Sequence, residues 1–226
     1  MRPVVVDSQT TTDVEIPQAG PALHQFGVDP RGLVVVLYQQ YYEGIFPMAD
    51  ALGEISWHFP MYRAVFSINR YRCKKSLNPY LKPGIFEVRI NRSFEDVIRN
   101  CAVPRKRFEG TWLNETMICA YLELHQRGFA HSVEIYQNDT LVGGLYGVHI
   151  GSIFFGESMF SHVSNASKVA FHHLMLILQK NQFMVMDSQY LNNHTEMLGA
   201  IEIRDFVFKA LVCSARDIPS LFNETI

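Results

Sequence analysis

Apolar and polar positions change rhythm several times along this chain, and each change marks an element. Leu33, Val36, Leu37 and Tyr41 recur at helical spacing between Asp29-Pro30, a cap and first-turn signal, and Gly44, a stop. Short extended pieces follow around prolines, Ile45-Phe46-Pro47 and residues 55–60, and then residues 63–68 read as a strand. Residues 86–90 alternate as a half-buried strand. Ser93 is placed to cap a helix with the stripe Phe94, Val97, Ile98 and Cys101. A further helix carries Met117, Ala120, Tyr121 and Leu124 on one face and stops at Gly128.

Residues 132–136 and 141–150 read as a hairpin, and Gly151-Ser152 turns the chain into Ile153-Phe154-Phe155. Residues 155–160 read as an acidic turn around Glu157. A helix over 165–180 and a strand from Phe183 lead to Asp187-Ser188-Gln189. Antiparallel strands followed by alternating helix and strand predict an α+β fold, a mixed α/β sheet with helices packed against it. The pattern divides into a small N-terminal α/β domain over 1–68, with an irregular lead-in, and a larger mixed α/β domain over 69–226.

Composition narrows the class. With 226 residues, 48% hydrophobic and 19% charged, the chain is that of a globular protein, with no apolar run of membrane-spanning length and no secretory signal expected. Cys73, Cys101, Cys119 and Cys213 are scattered without paired spacing, which argues against zinc and against a disulfide framework, and so for a reducing cytoplasm. A net charge of −2 gives no global attraction to nucleic acid. Any RNA contact must come from a local patch, Arg70, Arg72, Lys74 and Lys75, or Arg105, Lys106 and Arg107, and the ordinary role of either is a solvated surface.

Candidate chemistry collects between residues 141 and 203. Asp187 and Gln189, one residue apart at a strand end, would leave the same face roughly 7 Å apart; a polar strand end leading into a loop is an equal reading. Glu157, among Phe154, Phe155, Met159 and Phe160, would ionise only at a cost unless a cation or hydrogen-bond donors meet it. It is a binding carboxylate or an ordinary turn residue. Trp57 and Trp112 can stack a base, although core packing is the commoner use. Gly143, Gly144 and Gly147 lack a dinucleotide spacing and suit a bulge or a close approach. No HExxH or triad order appears, and no metal is expected.

Several segments then fall into a familiar order. They are Gly44-Ile45-Phe46-Pro47, Trp57, Glu109-Gly110-Thr111-Trp112, residues 130–134, residues 141–147, residues 155–161, residues 165–168 and residues 187–195. Together they resemble the leucyl/phenylalanyl-tRNA protein transferases over roughly residues 30–210. The resemblance implies an acetyltransferase-like second domain and a reaction in which the α-amino group of a protein beginning with Arg or Lys attacks the ester of Leu-tRNA or Phe-tRNA. The product would be marked for degradation by the N-terminal rule.

By the same resemblance Asp187 and Gln189 carry the chemistry, Glu157 helps the acceptor site, Trp57 and Trp112 hold the terminal adenosine, and Leu145, Phe154 and Met159 line the donor pocket. Phe155, replacing a smaller residue, would narrow that pocket toward Leu. Met is a further donor, and β-branched Ile and Val should clash. Asp187 is expected to accept from the Gln189 amide NH2 and so aim the amide oxygen at the amine. Arg70, Arg72, Lys74 and Lys75 are the expected tRNA backbone contacts. Beyond aminoacyl-tRNA as co-substrate no cofactor is implied, nor a membrane, and the chain is expected to be a monomer.

The first domain departs from the family: Glu43 and Met48 stand where Arg and Trp are common. The tandem-tryptophan, Ser-Pro and Asp-Pro-Arg segment is here Ser56-Trp57-His58-Phe59-Pro60-Met61-Tyr62-Arg63. Two other readings compete. An acetyl-CoA-type acyltransferase would need a glycine-containing turn before the 165–180 helix, where residues 164–168 have none. A non-catalytic tRNA-binding or sensor protein on the same scaffold is the other.

Overall fold

The structure, a computed structural model, describes residues 30–50, 54–103 and 113–222. Helix α1 (Pro30–Tyr42) buries Leu33, Val34, Leu37 and Tyr41 and gives way to Gly44 at φ 78°. Strands β1 (Phe46–Ala49) and β2 (Ile55–His58) pair with each other as a separate two-stranded sheet. After β3 (Tyr62–Phe66), two short 3-10 turns, Ile68–Arg70 and Lys75–Leu81, span the basic stretch.

The rest runs β4 (Glu87–Ile90), α2 (Phe94–Ala102), α3 (Glu115–Gln126), β5 (Ala130–Gln137), β6 (Thr140–Ile150), β7 (Ile153–Ser161), α4 (Ala166–Lys180), β8 (Val185–Asp187), α5 (Asn193–Leu198), β9 (Ile201–Arg204) and α6 (Asp205–Ala215).

Seven strands form one mixed sheet in the order β4-β5-β6-β7-β8-β3-β9, antiparallel except for β7 beside β8. That parallel pair is joined through α4, the long connection a parallel pair needs. Alternation along the strands divides the core. Tyr146 and Phe155 pack with residues of α1, α2, α3 and α6, while Leu145 and Phe154 pack with α4. The β5–β6 turn places Asn138 and Asp139 at φ 50° and 58°, the left-handed pair that a two-residue hairpin requires.

Local details differ from the sequence expectations in four places. Ser93 stands at the start of α2 but its side chain makes no capping bond. The fully buried Glu134 accepts the backbone N–H groups of Arg92 and Ser93 at 2.9 and 2.8 Å instead. The strand expected to close the first domain is β3, hydrogen-bonded between β8 and β9 inside the large sheet. Elements α5, β9 and α6 have no counterpart in the sequence reading.

Residues 155–160 are no turn: they belong to β7, paired along β6 with a slip between Tyr146 and Gly147. Ser158 opposes Tyr146 and Gly156 opposes Gly147, so Glu157 has no partner and forms a bulge. Gly147 makes this possible, because a Cβ there would stand 2.3 Å from the Phe155 carbonyl oxygen.

Candidate active site

The β7–β8 pairing lasts only three residues, Ile153 to Val185, Phe154 to Met186 and Phe155 to Asp187. Beyond it β8 stops while β7 continues, and the sheet opens into a cleft of about 440 Å³. Its walls are Glu157, Ser158 and Met159 of β7, Ser188, Gln189 and Tyr190 after β8, Pro47 and Met48 of the hairpin, and the α5 region.

Asp187, the last residue of β8, is fully buried and held by Arg63 of β3, whose Nε and Nη2 donate to the two carboxylate oxygens at 2.7 Å each. Arg63 is itself only 1% exposed, and the rings of Phe46 and Phe208 lie 4.5 and 4.4 Å from its guanidinium. Removing either partner alone would leave an uncompensated buried charge, at a cost of about 3–5 kcal/mol. The pair anchors the next turn, since Asp187 Oδ1 also accepts the backbone N–H of Gln189 at 3.0 Å. Gln189 sits at φ 63°, and Ala64 of β3 secures the loop by exchanging hydrogen bonds with Ser188 N and Gln189 O.

This geometry corrects the expected pairing of Asp187 with the Gln189 amide. The strand ends at Asp187 and Gln189 is left-handed, so strand alternation no longer says where the two side chains go. The oxygens of Asp187 are occupied by Arg63 and a backbone N–H. The Gln189 Nε2 donates instead to Glu157 Oε1 at 2.9 Å.

Glu157 Oε2 accepts from the Tyr121 hydroxyl at 3.2 Å, and Tyr121 is 2.7 Å from the Tyr41 hydroxyl. Burial pushes the Glu157 carboxyl up from about 4.5 to about 7; the Tyr41, Tyr121 and Gln189 donors oppose the rise and the charge of Asp187 adds to it. Burial also raises both tyrosines well above their usual value, so they stay protonated as donors. A carboxylate poised between charge states, beside an amide whose oxygen is left free for the cleft, can receive a cation and orient an amine.

The other expected site residues divide. Leu145 and Met159 are cross-strand partners and both line the cleft. Phe154 and Phe155 do not. Both are fully buried, Phe154 in the core under α4 and Phe155 on the opposite face, 5.1 Å from the Tyr41 ring. Phe155 therefore cannot narrow the pocket. Trp57 is half-buried against the core, opposite Pro47 and outside the cleft lining, while Trp112 and the Arg105–Arg107 patch lie outside the described residues. Arg70, Arg72, Lys74 and Lys75 are exposed, and the Lys74 ammonium donates to the Met197 carbonyl in α5, beside Leu198 of the cleft. Among the described residues no group of three or more His, Cys, Asp or Glu could hold a metal ion.

Arg63, Tyr41 and Tyr121 complete the hydrogen bonding around Asp187 and Glu157, and the sequence pattern does not single them out. A lone arginine leading Ala64-Val65-Phe66 was a legible sign of a buried pair. Helical spacing, by contrast, gives both tyrosines to the core and says nothing of their hydroxyls.

Sheet order, the opening beside β8 and the amide–carboxylate pair within it define a mixed α/β protein with a polar cleft where two parallel strands part. The family model described as leucyl/phenylalanyl-tRNA protein transferase matches residues 65–213, and the chain belongs to that family. It is 44% identical over 191 residues to the leucyl/phenylalanyl-tRNA protein transferase of Nitrosospira multiformis, covering 81% of this chain and 82% of the relative. The Cellvibrio japonicus enzyme of the same name is 41% identical over 208 residues, covering 87% and 88%.

Among solved structures, L-PGS from Bacillus licheniformis aligns with a TM-score of 0.44 at 9% identity, over 81% of this chain and 71% of that one. A ribosomal-protein-alanine N-acetyltransferase from Brucella melitensis biovar Abortus aligns with a TM-score of 0.36 at 12% identity, over 50% and 86%. No helix among the described residues is long and apolar enough to cross a membrane.

Proposed function

We propose that this protein moves Leu or Phe, and also Met, from aminoacyl-tRNA to the N-terminal Arg or Lys of acceptor proteins. The observation that carries it is the Gln189–Glu157 hydrogen bond at the point where β7 and β8 part. With its NH2 end held by Glu157, the amide presents its oxygen to an incoming α-amino group and accepts one N–H. The nitrogen lone pair then faces the ester carbonyl carbon. A new C–N bond forms, the C–O bond to the ribose breaks, and the amine proton leaves to the ribose oxygen or to water. An aminoacyl ester is already activated and an α-amino group of pKa about 7.7–8.0 is partly neutral near pH 7, so positioning supplies most of the rate. Chemistry of this kind needs no cofactor.

Glu157 is the anionic partner for the acceptor's guanidinium or ammonium, whose charge would favour the carboxylate form. The donor side chain enters the apolar part of the cleft, among Leu145, Met159, Phe171, Leu174, Met186 and Leu198. One methylene there is worth only about 10–200-fold, so unbranched and aromatic side chains pass while a β-branched one meets the walls. Arg70, Arg72, Lys74 and Lys75 take the tRNA backbone, and Trp57 and Trp112 the terminal adenosine. We place the protein in the cytoplasm as a monomer whose products are directed to N-terminal-rule degradation.

The direct test is purified protein with tRNA charged separately with Leu, Phe, Met or Ile and peptides beginning with Arg, Lys or Ala. Transfer from the first three donors to Arg and Lys peptides only is expected. Transfer of Ile at a comparable rate, or to Ala peptides, would overturn the assignment.

A further inference from the structure

A chain of hydrogen bonds runs between two walls of the cleft, and its direction can be worked out. Ser56 Oγ donates to the Met48 carbonyl oxygen at 3.1 Å, across a β1–β2 register pair. With its only proton so used, it accepts from His58 Nε2 at 2.7 Å. A neutral imidazole protonated at Nε2 leaves Nδ1 as an acceptor, and the Tyr190 hydroxyl donates to it at 3.1 Å. The His58 ring stacks on Phe46 with centroids 5.5 Å apart, and Tyr190 meets the same Phe46 ring edge-on at 5.4 Å. Met48 lines the cleft from the hairpin and Tyr190 from the loop carrying Gln189. Since β1 and β2 lie outside the seven-stranded sheet, no sheet hydrogen bonds fix the hairpin against that loop.

We propose that His58 is a positioning residue that latches the β1–β2 hairpin to the Gln189–Tyr190 loop and thereby sets the width of the cleft for the aminoacyl end of the donor. This deepens, and rests on, the reading of the cleft as the donor site. His58 acts only through Ser56 and Tyr190 and touches no reacting atom. It falls in the segment where the chain departs from the family's tandem tryptophans.

Once protonated, the ring donates from both nitrogens, and the Tyr190 bond reverses rather than breaks, the phenol oxygen accepting from Nδ1. Burial holds His58 below the usual histidine value of 6.5, with no charged group contributing. Its neighbours are Ser56, Tyr190 and Phe46; beyond them Arg63 lies over the Phe46 ring and is paired with Asp187, and Asp50 and Glu54 belong to the hairpin tip. The ring is therefore neutral at pH 7, donating to Ser56 and accepting from Tyr190.

His58→Phe keeps a ring on Phe46 and removes both nitrogens, and Tyr190→Phe removes the hydroxyl. In steady-state transfer from Leu-tRNA to an Arg peptide, each should raise KM for charged tRNA by about three- to tenfold, the size of one or two exposed hydrogen bonds. The kcat should stay within about twofold, and the double variant should be no worse than either single one. Unchanged KM in both single variants, or additive effects, would overturn the latch while leaving the proposed function standing.

Should wild type transfer nothing, the proposed function fails, and amide exchange reads the latch by itself. Both variants are then expected to speed exchange at residues 46–50 and 54–58, and unaltered exchange contradicts it.

Discussion

Near neutral pH Glu157 is divided between its two protonation states, because burial carries its carboxyl up to about 7 against the pull of three donors. Its native value lies above its unfolded one, so the native state binds the proton more tightly between about 4.5 and 7. The sign follows: this group costs nothing below about pH 4.5, and stability is lost as pH rises through 7, by no more than about 3 kcal/mol. Glu157→Gln, which mimics the protonated form, should flatten that part of the curve and melt higher than wild type at pH 8. A variant that keeps the wild-type slope would place the titration elsewhere.

Residue identity also marks how far the sequence could be read. Asp187, Gln189 and Glu157 stand out as polar groups at the ends of apolar runs. Their mutual geometry does not, because it turns on a left-handed Gln189 and on an arginine 124 residues before Asp187.

Among the elements, β7 shapes the site by doing two things at once. It pairs with β6 throughout its length, with a bulge that turns Glu157 toward Tyr121, and it leaves β8 after three residues. Adding a methyl group at Gly147 would press on the Phe155 carbonyl and on the Phe154 ring, 2.3 and 2.5 Å from the new carbon. Gly147→Ala should cost at least about 1–3 kcal/mol in urea denaturation, and Glu157 should lose its tyrosine contact. A variant as stable as wild type would mean the bulge tolerates a side chain.

Long elements were legible from periodicity: α1, α3 and α4 keep one apolar face, and the β5–β6 hairpin announces its turn in Asn138-Asp139. The bulge reads as a turn in the sequence because a glycine and a carboxylate interrupt alternation in either case. Elements α5, β9 and α6 escaped for a different reason. Met197, Ile201 and Phe206 are exposed, so the apolar positions there do not trace a buried face.

Across the whole molecule, the fold joins an exposed basic stretch to the cleft. Net charge is −2, and the exposed stretch Arg70 to Lys75 is tied to the cleft rim through Lys74 and α5. Replacing Arg70, Arg72, Lys74 and Lys75 together by Gln should weaken every charged tRNA alike and reduce the salt slope of binding by about 3. An effect confined to one donor would remove these residues from the backbone. The mixed sheet was readable from element order, whereas the place of β3 within it was not, because its partners β8 and β9 lie more than a hundred residues later.

The most direct measurement is the single-turnover transfer rate from saturating Leu-tRNA to an Arg peptide, for wild type and Gln189→Ala side by side. Loss of the amide that aims the amine should lower the rate by about a hundredfold or more while the affinity for Leu-tRNA stays within a few fold. A Gln189→Ala rate within a few fold of wild type would contradict the central claim, that the amide anchored on Glu157 positions the attacking amine.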